Sequence, residues 1–343
     1  MPPSDRVRRV AIACQGGGSH TAFTAGVLKR LLRERNEIVA LSGASGGAIC
    51  ALLAWCGLQA EDRGQAIRSL EAFWSENSAG SPLDAIVNDW LIAHTRWWGQ
   101  FGEPQVSPYM YPPWARDQLR GMLERCIDFA SVGALFEQRD SPLLLVSAVD
   151  VRSGEFKVFR NGRDPDSGER VFEVNADAIL ASAAIPDLFR AVHIDGGVYW
   201  DGLFSQNPPV RELPDADPDE IWIIQINPDR RETEPTQIAE IRDRRNELAG
   251  NLSLRQEVRF IEKINDLVEW GVLTDKVTPA GHHGAGSGYH RIEVRWIKMG
   301  TDVTAALDSV SKLDRSRALI ERLMRHGEEQ AESFLATLPP PGS

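Results

Sequence analysis

Apolar residues in the first part of this chain come in unbroken runs. Val10 to Cys14 and Ile38 to Leu41 contain no polar residue, the pattern of interior strands in a parallel sheet covered on both faces. Between them Ala25, Val27, Leu28, Leu31 and Leu32 recur at helical spacing. Leu143 to Val149, Ile221 to Ile226 and Ile292 to Ile297 predict further strands. Arg152 to Glu155 predicts a turn into a hairpin strand, Phe156 to Phe159. Helical patterns cover Asp62 to Asn77, Ala178 to Ala184 (stopping before Pro186), Ile238 to Trp270 and Leu313 to Leu338. In the third of these, Leu254, Val258, Ile261, Ile264 and Leu267 form one stripe, which predicts a helix with one buried side and a solvated remainder that could serve a partner. Strand, glycine loop, helix, strand is the start of an α/β fold.

The most informative junction is Leu41-Ser42-Gly43-Ala44-Ser45-Gly46-Gly47, followed by the small apolar run Ala48 to Ala54. It predicts a buried strand, a very tight turn and a buried helix. A serine within Gly-x-Ser-x-Gly at such an elbow is lifted clear of the sheet, and glycines on either side avoid collisions with strand and helix. The Gly46 amide and the helix N-terminus then face any anion formed beside the hydroxyl. Ser45 is therefore the candidate nucleophile, and the chain must supply oxyanion donors and a base.

Gly16-Gly17-Gly18 ends the first strand and opens a helix, so its unhindered amides suit an anion. As a dinucleotide loop it fails twice. Thr21 stands where the third glycine of G-x-G-x-x-G belongs, and no acidic residue ends the second strand. One lost oxyanion donor typically costs ~3–4 kcal/mol, which makes these glycines as diagnostic as the serine.

The base is less plain. An α/β-hydrolase needs a late histidine and several strands before its serine, yet only two precede Ser45. His282, His283 and His290 lie in or beside a glycine-rich loop without metal-ligand spacing, His326 lies on a charged helix, and His94 and His193 have no motif around them. His20 is expected to be a solvated residue at a helix start. There remain Asp195 and Asp201, each followed by glycine, and either could be a simple turn.

Composition narrows the reading at the margins. The apolar fraction is 42% and the charged fraction 25%, as in ordinary globular domains. A formal net charge of −11 argues against nucleic acid. The four cysteines have no metal-ligand spacing, Cys14 and Cys50 read as core, and a reducing cytoplasm is the default. Arg6 to Cys14 is too short for a secretory signal, and the longest apolar segment, Ala48 to Leu58, falls short of the ~18 residues that span a bilayer. Trp90, Trp97, Trp98, Phe101, Tyr109, Tyr111 and Trp114 crowd a proline-broken region, where they are expected mostly to roof the core, with a lipid-facing cap as the alternative.

Four blocks in one order resemble the patatin-like phospholipases, lipid acyl hydrolases that use a Ser-Asp dyad. They are Gly16-Gly17-Gly18 with Ala25-Gly26-Val27-Leu28, then Gly43-Ala44-Ser45-Gly46-Gly47, then Ala181-Ser182-Ala183-Ala184-Ile185-Pro186 with Phe189, and last an Asp-Gly block ending in Asn and Pro. The resemblance covers roughly Val10 to Val210. It implies a three-layer α/β/α fold with a mainly parallel central sheet and a helical C-terminal extension. It also implies Ser45 as nucleophile, an aspartate as base, and an oxyanion hole from Gly16, Gly17, Gly18 and Gly46, with no cofactor and no metal. The family places Asn six and Pro eight residues after its aspartate. Asp201 fits, with Asn207 and Pro209, although Leu203 replaces the usual small third residue. Asp195 has the literal Asp-Gly-Gly but not the spacing. Asp201 is thus the expected base, in a pocket built from Tyr199, Trp200, Leu203 and Phe204. Thr21 and His20 depart from the first loop's usual glycine and basic residue without removing an amide.

The implied activity is cleavage of fatty acyl esters in phospholipids or related lipids. A non-catalytic lipid-binding protein, and a thioesterase or peptidase on the same dyad, are the alternatives. Peripheral membrane contact and homo-oligomerisation stay open. Residues 5–212 are expected to form the catalytic core, 213–338 the remaining strands and helical part of the same domain, and 339–343 a disordered tail.

Overall fold

The computed structural model describes residues 7–339 apart from 81–83, 87, 91, 94–106, 111, 139, 165–166, 187, 275–287 and 309. His94, Trp97, Trp98, Phe101, Tyr111, His282, His283 and the tail from Pro340 lie outside these residues.

Among the described residues, nine strands form one sheet: β1 (Arg9–Cys14), β2 (Glu37–Gly43), β3 (Leu143–Asp150), β4 (Phe156–Arg163), β5 (Arg170–Phe172), β6 (Val192–Ile194), β7 (Gly197–Asp201), β8 (Glu220–Gln225) and β9 (Glu293–Lys298). The main path runs β5-β4-β3-β2-β1-β8-β9, with β7 also paired to β3 and β6 to β7. Strands β3, β2, β1, β8 and β9 are parallel, whereas β4, β5, β6 and β7 pair antiparallel.

Alternation along β1 divides the core. Val10, Ile12 and Cys14 face one layer with α1 (Ala22–Leu31), α2 (Gly46–Gln59), α3 (Arg63–Asn77) and the C-terminal helix Arg317–Thr337. Ala11 and Ala13 face the other, where Leu254, Val258 and Ile261 of the long helix Ile238–Glu269 pack against Ala40, Leu145, Ile221 and Ile223. Three residues of the expected stripe, Leu254, Val258 and Ile261, thus face the sheet, whereas Ile264 and Leu267 are only half-buried. The C-terminal helix starts at Arg317, four residues later than its apolar pattern suggests. Val310–Lys312 instead forms a short 3-10 turn, and the Asp314 carboxylate accepts the Ser316 amide before the helix begins.

From β1 the chain passes to β2 on one side, and from β8 to β9 on the other. Loops following β1 and β8 therefore part at the carboxyl end of the sheet, where open α/β sheets place their sites. Among the described residues, no helix is long and apolar enough to cross a membrane.

Candidate active site

Ser45 links β2 to α2 with φ 52° and ψ −129°, a backbone region costly for a residue with a Cβ. Neighbouring glycines make the bend possible through space. A Cβ on Gly43 would overlap the Ala48 backbone, and one on Gly47 would overlap the Cys14 carbonyl. Helix α2 is buried over most of its length and starts directly after Ser45, so its unpaired N-terminal amides and dipole favour negative charge there.

Asp201 ends β7 opposite Ala148 of β3 and is 1% exposed. Its Oδ1 accepts the Leu203 amide at 2.7 Å. Burial pushes its pKa up to about 7; the Leu203 amide and the Ser45 hydroxyl pull in the opposite direction. The hydroxyl is thus close enough to act on the carboxylate, yet among the described residues Oδ2 closes no hydrogen bond of ordinary geometry. Such contacts often tighten when substrate binds. Leu203, the departure from the family motif, leaves the backbone contact intact. The expected apolar enclosure needs one correction: Tyr199, Trp200 and Leu203 are half-buried, but Phe204 is 44% exposed. Desolvation comes from the sheet itself, since the acid is held between β3 and the segment before Pro186.

That segment joins the two groups. Ser182 Oγ accepts the Ser45 amide at 2.9 Å, and the Ala184 carbonyl accepts the Asp201 amide at 3.1 Å. Ser182 is a positioning residue to which sequence reasoning gave no task, although its block Ala181 to Pro186 was conspicuous. Asn207 was noticed only for its spacing. Its Oδ1 accepts the Gly16 amide at 2.7 Å and so ties the glycine loop to the strand end carrying Asp201.

Of the four glycines expected around an oxyanion, Gly16 has its amide engaged in this way, and a Cβ there would overlap the Ala44 carbonyl. The amides of Gly17, Gly18 and Gly46 make no hydrogen bond to another described residue. Thr21, in place of a third glycine, donates its hydroxyl to the Gly18 carbonyl at 2.6 Å and fixes the loop from behind.

Asp195 is at the other end of β7, exposed in the turn between β6 and β7. Its φ of 47°, with Gly196 at 81°, gives a two-residue hairpin turn of the kind Asp-Gly favours. The structure does not bring it to Ser45.

His20 corrects the expectation of a solvated residue. It is 4% exposed, with Nε2 2.8 Å from Ser311 Oγ. Burial, then the positive charges of Lys312 and Arg231, lower its pKa to about 3. It stays neutral behind the glycine loop. His290 meets Asp217 and Pro218, and His326 accepts the Gly300 amide, so neither belongs to the site. Cys14 and Cys50 are free and buried. Trp90, Tyr109 and Trp114 are exposed rather than roofing the core.

A family model described as patatin-like phospholipase matches residues 12–214. No curated protein matches the chain. Among solved structures, VipD from Legionella pneumophila is 13% identical, with 98% of this chain and 68% of that one covered at a TM-score of 0.46. Human GIVD cytosolic phospholipase A2, in complex with methyl gamma-linolenyl fluorophosphonate, is 14% identical, with 96% of this chain covered at a TM-score of 0.45. This chain spans 58% of the human protein's length in that structure.

Proposed function

Since the chain belongs to the patatin-like phospholipase family, we propose that it hydrolyses fatty acyl esters of lipids with Ser45 as nucleophile and Asp201 as its base. The observation that carries this reading is a buried carboxylate with one oxygen unpartnered among the described residues, poised near neutrality, under the influence of a hydroxyl on a strained elbow.

Ser45 Oγ adds to the ester carbonyl carbon as its proton passes to Asp201. The oxyanion is held by the amides of Gly17, Gly18 and Gly46, donors fixed before the charge appears. Collapse breaks the bond to the alcohol, which leaves with the proton from Asp201. Water then gives a proton to Asp201 and adds to the acyl carbon. The second tetrahedral species releases the fatty acid, and Ser45 recovers its proton. Gly16 gives its amide to Asn207 and shapes the loop rather than donating to the oxyanion. An aspartate can act here because burial lifts its proton affinity from the ordinary ~3.9 towards working pH.

A fluorophosphonate probe followed by peptide mapping tests the assignment. Labelling at Ser45, lost in Ser45→Ala and accompanied by release of fatty acid from phospholipid, is the expected result. Labelling elsewhere, or esterase activity surviving Ser45→Ala in the folded protein, would refute it. Running phospholipids beside p-nitrophenyl esters, acyl-CoA and peptides fixes the substrate class.

A further inference from the structure

The long helix Ile238–Glu269 spends its buried side on the sheet, yet its outer side is not purely polar. Ile238, Ile241, Leu248, Leu252 and Phe260 are 39–54% exposed, and Trp270 just beyond the helix is 65% exposed. At about 100° per residue these six fall within about 120° of arc. Scattered surface apolar residues need no explanation, but six aligned along one side of a helix do.

The charges within that arc are unbalanced. Arg242, Arg245, Arg259 and Lys263 lie inside it and are exposed, whereas Asp266 at its edge is the one acid it contains. Glu262 and Glu269 project outside it, and Glu240 closes the capping box at the helix start. This is a basic and apolar strip on a chain of net charge −11. Lys263 also rests over the Trp270 ring at 4.5 Å, an aromatic and cation combination suited to a polar–apolar boundary.

The strip points to the site. Asn251, on the opposite side of the helix, bonds Gln15 at the carboxyl end of β1, and Gly250 packs against Asn207 and Leu203. Asn265 instead bonds Ile292, where β9 begins. The N-terminal half of the helix thus stands at the end of the sheet that carries Ser45 and Asp201. Exposed Phe204 lies on the turn that packs against it.

We propose that this strip seats the protein on an anionic lipid surface, with Ile241, Leu248 and Leu252 entering the headgroup boundary and Arg242 and Arg245 meeting lipid phosphates. Apolar area and cations on one face are the combination that holds a helix in the plane of a bilayer interface. An acidic protein would complement the arginines but would not account for the aliphatic run between them. The proposal rests on the lipid-hydrolase reading for its purpose, and its test is independent of that reading.

Sedimentation with vesicles of phosphatidylcholine, with and without phosphatidylglycerol, at low and high salt decides it. Preference for the anionic vesicles, weakened by salt, is expected. Arg245→Glu with Leu252→Ser should weaken that binding by about tenfold or more while hydrolysis of a soluble p-nitrophenyl ester is unchanged. Arg35→Glu, the same charge reversal on an exposed residue before β2, should have little effect. Ser45→Ala should bind as well as the wild-type protein; vesicle binding by the wild-type protein with no release of fatty acid would sink the enzyme reading and leave the docking surface standing. Absent or charge-indifferent binding, or equal binding by the double variant, overturns the proposal. So does light scattering that shows the strip buried between copies of this chain.

Discussion

Two Asp-Gly pairs sit at the two ends of one short hairpin strand and have opposite characters. At Asp195-Gly196 the chain turns in water, and both residues have positive φ. At Asp201-Gly202 the chain is buried, with the carboxyl within the influence of the Ser45 hydroxyl and the backbone against β3. Their glycines differ as much as their acids. Gly196 has open space around a hypothetical Cβ and is needed for its φ of 81°; Gly202 has no such φ and is needed because a Cβ would overlap Ser147. The same dipeptide thus serves a turn by flexibility and a site by smallness.

The largest expected contrast is in turnover. Asp201→Asn should lower kcat for ester hydrolysis by about 10³–10⁴-fold, the scale of losing a base that also orients the nucleophile. Asp195→Asn should remain within about twofold, because Asn-Gly suits the same turn. Loss of activity in the second with retention in the first would reverse the assignment.

A pH series sharpens the difference. The base must be ionised to work, so kcat/KM should rise with pH through about 7, and the rise should persist in Asp195→Asn. Stability should run the other way. The folded state binds the Asp201 proton more tightly than the unfolded chain, whose carboxyl titrates near 3.8, so this group's contribution falls as pH rises from about 4 to about 7. His20 opposes it over much of the same range. Its folded pKa of about 3 lies below the reference 6.5, so stability present above 6.5 is lost as pH falls towards 3. Asp201→Asn should therefore stabilise the protein at pH 8, by on the order of 2–4 kcal/mol in urea denaturation. His20→Asn should blunt acid unfolding.

Smaller effects belong to the glycines. Gly202→Ala should cost about 2 kcal/mol or more and depress activity by shifting Asp201, since the neighbouring Ser147 has both its hydroxyl and its carbonyl in the way. Gly196→Ala should cost about 1 kcal/mol, from backbone strain, with activity per folded molecule unchanged. Equal costs at the two positions would mean that the two glycines serve the same purpose.

Much of this arrangement was legible because it is local. Buried strands announced themselves as unbroken apolar runs, and the elbow as glycines around a serine between strand and helix patterns. Asp201 was separated from Asp195 by the spacing to Asn207 and Pro209, which fits the family motif. Long-range partnerships were not legible. Nothing near Ser182 shows that its hydroxyl will meet the amide of Ser45, 137 residues earlier in the chain. Nothing near Asn207 shows that it will engage the Gly16 amide, 191 residues away. His20 looked like a solvated helix start because the segment that buries it, around Ser311, arrives from the far end of the chain.

By itself, then, the sequence determined the α/β layering, the strained serine and the glycine amides, because periodicity and backbone sterics act over a few residues. Tertiary structure decided which amides stay free, which aspartate is dehydrated enough to accept a proton near neutrality, and which side of the long helix is left uncovered. Those properties depend on what closes over a group, and burial is set by segments that meet only when the sheet is complete.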